Sequence, residues 1–217
     1  VPLDQDLPST IAAAVEHTLE IKRSIFLTHL APVGSMEEAD AVIARIRKER
    51  WDARHHCVAM IVGTHADRQR STDDGEPAGT AGVPMLEVLR RRDVTDVVAI
   101  VSRWFGGVLL GTGGLVRAYT HAVADTLDVA REVRRRRLTA VTLDVPHADA
   151  GRVLAFCHGW VASHEGTLGE PEYGTDARLV VHVPPARLDA FDADLAAATA
   201  GTVRPLRGST SVVDIPL

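Results

Sequence analysis

Two stretches of the chain gather side chains that can do chemistry. One is an acidic turn, Asp73-Asp74-Gly75-Glu76-Pro77. The other is a glycine-dense run from Arg103-Trp104-Phe105-Gly106-Gly107 to Gly111-Thr112-Gly113-Gly114-Leu115-Val116-Arg117. Carboxylates supply general bases or cation ligands, guanidinium groups grip oxyanions as forks, and glycines let a ligand approach backbone N–H groups. Gly106, Gly107, Gly111, Gly113 and Gly114 lie just before or at a helix start near Gly113, the layout of a phosphate or carboxylate site. The run lacks the third glycine of a dinucleotide turn and the Gly-Lys-Ser/Thr of a P-loop. The same glycines would equally serve a tight strand-to-helix turn that needs them only for its dihedrals.

Arg103 and Arg117 flank this turn and admit two readings. They clamp an oxyanion between them, or they pair with Asp73, Asp74 and Glu76 as a salt-bridged latch. Trp104 and Phe105 offer faces on which a base could stack, or belong to a core. His55 and His56 are neighbours, so on an extended strand they face opposite sides and at most one joins a site. The acidic turn is too compressed for a calcium loop, which needs about twelve residues, so no metal and no cofactor are expected. No Gly-x-Ser-x-Gly elbow exists, and Cys57 and Cys157 sit in apolar contexts that suit buried thiols, which disfavours acyl transfer.

The elements that must position these groups follow from periodicity. Thr18 to Leu30 reads as an exposed first strand ended by Pro32-Val33-Gly34, and Ser35 with Glu38 makes a capping box for a helix burying Met36, Ala39, Ile43 and Ile46. Cys57 to Val62 and Val97 to Val101 are continuously apolar, as central strands covered on both faces would be. Pro84 opens a helix with Val83, Leu86 and Leu89 inward, closed by Arg90-Arg91-Arg92. A longer helix from Gly113 buries Leu115, Ala118, Ala122 and Val123. Roughly twenty residues before the Pro84 helix lack periodicity, a length usual for functional or disordered loops.

From Thr139 the pattern restarts: a strand over Val141, Leu143 and Val145, and a helix over Ala150, Val153, Leu154 and Cys157. Strands at Val161 to Leu168 and Leu179 to Val183 follow, then a helix after Pro184-Pro185 and a last strand at Thr202 to Leu206. The order β-α-β-β-α-β is that of a ferredoxin-like domain. The fold class expected is therefore α+β, with an N-terminal α/β domain at 1–133 that carries the candidate site and a C-terminal ferredoxin-like domain at 134–217.

Composition bounds the partners. The 217 residues hold 24 Lys and Arg against 29 Asp and Glu, a net charge of −5, and 46% are apolar. Such a balance opposes a surface coated uniformly for nucleic acid but leaves room for local basic patches. Arg134, Arg135, Arg136 and Arg137, if extended, put two guanidinium groups on each face, which a buried strand does not tolerate. That segment is expected to be an exposed edge, a linker or a binding strip. No run approaches the roughly 18 apolar residues of a membrane span, and Val1 to Asp6 lacks the basic-then-apolar order of a secretion signal, so a cytosolic protein is expected.

Four segments together resemble the YigZ/IMPACT family: Ala53-Arg54-His55-His56-Cys57-Val58-Ala59, Asp73 through Gly82, Arg103 through Gly107, and Leu110 through Tyr119. The resemblance covers about Leu19 to Ala130. It implies an N-terminal fold shared with the second domain of a ribosomal protein and with a superfamily of sugar and mevalonate kinases. It also implies a C-terminal domain similar to one in elongation factor G. Eukaryotic members restrain activation of a starvation-responsive initiation-factor kinase. Bacteria lack that pathway, so what carries over is a translation-linked binding protein with RNA or the ribosome as partner. A proline-dipeptidase label borne by some members finds no metallopeptidase ligand set in this chain. Two functions compete on this basis. The first is a non-enzymatic RNA- or ribosome-binding protein with a basic groove of Arg103, Trp104, Arg117 and Arg134 to Arg137. The second is an enzyme on a small phosphorylated or carboxylated metabolite, with Asp73, Asp74 or Glu76 as base, the Gly111 to Gly114 turn holding the anion, and His55, Arg103 and Arg117 nearby.

Overall fold

The computed structural model describes residues 7–216, so the reading of Val1 to Asp6 lies outside the described residues. The chain divides into two compact units, Leu7–Arg134 and Arg135–Ile215. In the first unit five antiparallel strands form one sheet in the order β2-β3-β6-β4-β5. They are β2 (Val15–Ile21), β3 (Ser24–Pro32), β4 (His55–Val62), β5 (Arg68–Thr72) and β6 (Val97–Trp104). A short strand, β1 (Thr10–Ile11), pairs instead with the start of β7 (Glu132–Val145).

The two central strands have no polar face because both of their faces are covered. Cys57, Ala59, Ile61, Val97, Ala99 and Val101 pack with α2 (Gly82–Arg91) and α3 (Thr112–Val129). Val58, Met60, Val62, Val98 and Ile100 point the other way, into the core that α1 (Met36–Glu49) closes with Ala39 and Ile46. Each Val, Ile or Met among them contributes about 1.5–3 kcal/mol on burial, and with both faces covered the alternation of period two disappears from the sequence here. The cap of α1 forms as its residue types dictate: Ser35 Oγ accepts from the Glu38 N–H at 3.1 Å, and Glu38 Oε2 accepts from the Gly34 N–H at 2.8 Å.

Several elements differ from the sequence expectation. Thr18 to Leu30 is a hairpin, not one strand, because the chain reverses at Lys22 and Arg23, both at positive φ (49° and 65°). The unpatterned stretch before α2 contains β5, a polar edge strand paired with β4. Within α2, Val83 is 51% exposed while Met85, Leu86, Val88 and Leu89 are buried, so the helix is rotated from the expected face.

In the second unit β7 is followed by α4 (His147–His164), β8 (Thr167–Leu168), β9 (Glu172–Tyr173), β10 (Ala177–Val183), α5 (Leu188–Thr199) and β11 (Leu206–Pro216). The strand order β11-β7-β10-β8, with β9 pairing part of β10, is ferredoxin-like. Val141, Leu143 and Val145 of β7 meet Val153, Cys157 and Trp160 of α4 and Phe191 and Leu195 of α5. Val161 to His164 belongs to α4 and not to a strand, and the last strand starts where the expected one ended, at Leu206.

Candidate functional site

The first unit folds its chemistry onto the ends of β4 and β6. His55 and Arg103 are direct cross-strand partners, which places both beside the acidic turn that follows β5. The three carboxylates of that turn then go to three different tasks.

Asp73 is a scaffold. Its Oδ1 accepts the N–H groups of Ala81 (3.0 Å) and Gly82 (2.8 Å), and its Oδ2 accepts that of Gly79 (2.8 Å), which satisfies the start of α2. Burial pushes its pKa up, but the N–H groups of Gly79, Gly82 and Ala81 outweigh this and hold it below the ordinary carboxylate value. Asp74, at φ 44°, accepts from Arg47 Nη2 and from the His56 N–H, both at 2.6 Å, and so ties α1 and β4 to the turn. Both carboxylates are thus committed to structural partners, Asp73 to backbone N–H groups and Asp74 to a guanidinium and a strand N–H.

Glu76 is different. It is buried with Arg103, their side chains 3% and 7% exposed, and its Oε1 takes both Arg103 Nη1 at 2.5 Å and the Tyr119 hydroxyl at 2.8 Å. The Tyr119 phenol is pushed far up by burial and by its neighbours Cys57 and Glu76, so it stays a donor. Arg103 also lies over the Phe26 ring at 5.2 Å and the Phe105 ring at 5.8 Å, while its Nε is buried without a partner. The latch reading therefore describes Arg103 and Glu76, whereas Arg117 takes no part in it. Cys57 donates to the Asp73 carbonyl at 3.0 Å, and burial pushes its thiol up to about 12.

Above the Glu76–Arg103 pair opens a cavity of about 410 Å3. Arg54 and His55 bound it on one side; Phe105, Leu109, Leu110 and Leu115 supply an apolar wall. The His55 Nδ1 lies 2.8 Å from the Asp74 carbonyl oxygen, which only accepts, so Nδ1 carries a proton and Nε2 keeps its lone pair when the ring is neutral. His56 faces away, against Ser102 Oγ at 3.0 Å, and burial lowers its pKa despite the opposing Asp74 charge.

A second cavity of about 220 Å3 shares Leu110 with the first and holds Lys22, Gly114, Arg117 and His121. The glycines of the run divide by role. Gly106 is demanded by close approach, since a Cβ there would come 2.0 Å from the Arg23 carbonyl carbon. Gly111 is the N-cap of α3 at φ 73°, and no side chain caps that helix. Gly107 lies in the loop before Gly111, and Gly113 and Gly114 form the first turn of α3. Trp104, at the end of β6, donates to Asp52 Oδ2 at 3.0 Å.

The basic strip lies in β7. Arg135 pairs with Asp214 at 3.3 Å and Arg136 with both oxygens of Glu165, so these cations are engaged within the fold. Arg134, the last residue of the first unit, is exposed. Sequence reasoning missed Lys22, Arg54, Leu109 and Leu110 as site residues. The available signal was the apolar pair Leu109-Leu110 inside a loop without periodicity; Lys22 becomes visible only once the hairpin is seen.

A fold of this kind, with its glycine-capped helix and buried Arg–Glu pair, defines a two-domain α+β protein whose second domain is ferredoxin-like. Two family models match it: the Impact N-terminal domain over residues 22–127 and a domain of unknown function, DUF1949, over 143–202. The IMPACT family member YigZ of Escherichia coli is 39% identical over 197 residues, 90% of this chain and 95% of its own. YvyE of Bacillus subtilis, also an IMPACT family member, is 41% identical over 144 residues, 66% of each chain. A solved structure described only as that of a hypothetical protein is 37% identical, covers 94% of this chain and 98% of its own, and superposes with a TM-score of 0.60. The chain belongs to the IMPACT family. No helix among the described residues is long and apolar enough to cross a membrane.

Proposed function

We propose that this chain is a cytoplasmic, translation-associated regulatory protein that binds RNA through the cation-edged cavities of its first unit, without catalysis. The translation link comes from the IMPACT resemblance. The observation that carries RNA binding is the disposition of charge around the cavities. Lys22, Arg54 and Arg117 are exposed, line the cavities and make no ion pair with any described residue; Arg23, Lys48, Arg68, Arg91, Arg131 and Arg134 of the same unit make none either but line neither cavity, while Arg45, Arg47, Arg50, Arg70, Arg90 and Arg92 are paired. Cations held out beside a cavity suit phosphates. The test is fluorescence anisotropy of labelled single-stranded RNA against rising salt. Binding should weaken with salt, and Arg117→Ala should reduce the log–log slope by about 0.7. Binding that is absent at low salt, or that survives unweakened as salt rises, ends this reading.

One observation favours a second reading, an enzyme acting on a small phosphorylated or carboxylated metabolite. The lone pair of His55 Nε2 belongs to a residue lining the 410 Å3 cavity, so the base would be His55 and not Asp73 or Asp74. A thermal-shift screen of anionic metabolites separates the two: a ligand that raises the melting temperature of the wild type but not of Arg54→Ala supports the enzyme.

A further inference from the structure

We infer that the larger cavity takes one unstacked nucleobase of a single-stranded RNA, and that Glu76 favours bases bearing an amino group over uracil. This rests on the RNA reading above and goes beyond it by naming what the cavity recognises.

Size and wall chemistry come first. At about 410 Å3 the cavity lies within the range of roughly 300–1,000 Å3 typical of small-ligand sites. Its mouth holds Phe105 at 42% exposure and Leu109 at 81%, in a loop with no core of its own. Large apolar side chains held out around a polar floor are covered well by a flat π-face, and such stacking tolerates any base.

The floor supplies the choice. Oε1 of Glu76 is taken by Arg103 and Tyr119, but Oε2 accepts no hydrogen bond from the described residues, although the side chain is only 3% exposed. Oε2 is not among the buried atoms left without a partner, so the water of the cavity reaches it, and a ligand's N–H can take that water's place. His55 lines the same cavity, and with Nδ1 committed to Asp74 its Nε2 is also an acceptor. Two acceptors match the two hydrogens of an exocyclic amine: N4 of cytosine, N6 of adenine or N2 of guanine. Uracil offers one N–H flanked by two carbonyl oxygens, which a carboxylate repels. The strand's phosphates then have cations nearby, Arg54 lining the larger cavity and Lys22 and Arg117 lining the smaller one that shares Leu110.

The experiment uses the full chain and labelled dodecamers of cytidine and of uridine, both weakly stacked, at about 50 and 200 mM salt. The cytidine strand is expected to bind about tenfold more tightly, the effect of one hydrogen bond to a charged acceptor. Phe105→Ala should weaken both strands about tenfold and leave the salt slope unchanged, which a purely electrostatic contact would not do. Phe105 is partly exposed, so this variant should keep its fold. Glu76→Gln should cut the cytidine preference below about threefold, checked beside a melting curve because it touches the buried pair. Equal or reversed affinities for the two strands, or normal binding by Phe105→Ala, overturn the inference while leaving RNA binding intact. Failure of both strands to bind at the lower salt overturns the RNA reading, and this inference with it.

Discussion

Removing the positive partner of the buried pair tests the scaffold most directly. In Arg103→Met the Glu76 carboxylate keeps only the Tyr119 hydroxyl on Oε1 and stays almost wholly shielded from water. Losing one partner of a buried ion pair costs about 3–5 kcal/mol. The surviving hydroxyl argues for the lower end, about 3, and the loss of the Arg103–Phe26 contact adds about 1, giving about 4 kcal/mol. Glu76→Gln leaves the guanidinium unneutralised but keeps an acceptor for it, at a cost of about 2–3 kcal/mol. The double variant removes both charges, keeps the amide for Tyr119 and lets Met fill the apolar space, so it should lie within about 1.5 kcal/mol of the wild type. Because the chain has two units, whole-molecule melting would mix them. Hydrogen exchange by mass spectrometry, read on β4 and β6 peptides, isolates the first unit. There Arg103→Met should speed the slowest exchange by about three orders of magnitude, and the double variant should recover most of it. Additive effects, or a cost below about 1 kcal/mol for Arg103→Met, would mean that the pair behaves like a surface ion pair, and the argument fails.

Asp73 gives a pH-linked prediction. Its folded pKa is lowered, so its stabilising contribution is present above the unfolded value and lost as pH falls through the folded one. Acid denaturation of the first unit should therefore soften in Asp73→Asn. At neutral pH that variant should cost about 1–2 kcal/mol, measured by urea titration, because one carbonyl oxygen cannot serve all three N–H groups. The thiols give the opposite sign. Cys57 is pushed up to about 12 and Cys157 to about 11 by burial, so the unfolded chain ionises first and stability falls as pH rises from about 8.5 toward those values. At pH 8 neither thiol should react with a disulfide reagent until urea is added; rapid labelling of native protein would contradict the burial argument.

How much of this the sequence disclosed depends on whether the deciding force was local. The cap at Ser35, the apolar strands at Cys57 and Val97 and the helix after Gly111 were legible because propensity, capping and burial all act within a few residues. The Lys22-Arg23 turn was not, since neither residue type advertises a left-handed conformation and the strands on both sides hold it there. Arg68 to Thr72 looked like loop because an edge strand can be wholly polar. Val161 looked like strand because it is β-branched, yet packing against the second core keeps it in α4. At the site, the sequence offered Asp73, Asp74 and Glu76 as equals. Only the fold separates them, because their partners come from three different places: Gly79 to Gly82 at the start of α2, Arg47 on α1 and Arg103 on β6.

That separation removes the main objection to RNA as a partner for an acidic chain. An acidic turn facing a phosphate strand would repel it, and Asp73, Asp74 and Glu76 make such a turn in the sequence. Their directions and partners say otherwise. Asp73 spends its charge on backbone N–H groups, Asp74 on Arg47 and Glu76 on Arg103, so each is neutralised or satisfied inside the fold. The unpaired charges that line the two cavities are Arg54, Lys22 and Arg117, all positive in a chain whose net charge is −5. Charge reversal at these three positions should therefore change RNA affinity far more than reversal of an equal number of paired arginines such as Arg70, Arg90 and Arg92, although both variants alter net charge equally. Equal losses in the two sets would show that only the overall charge matters, and that the cavities do not organise the strand.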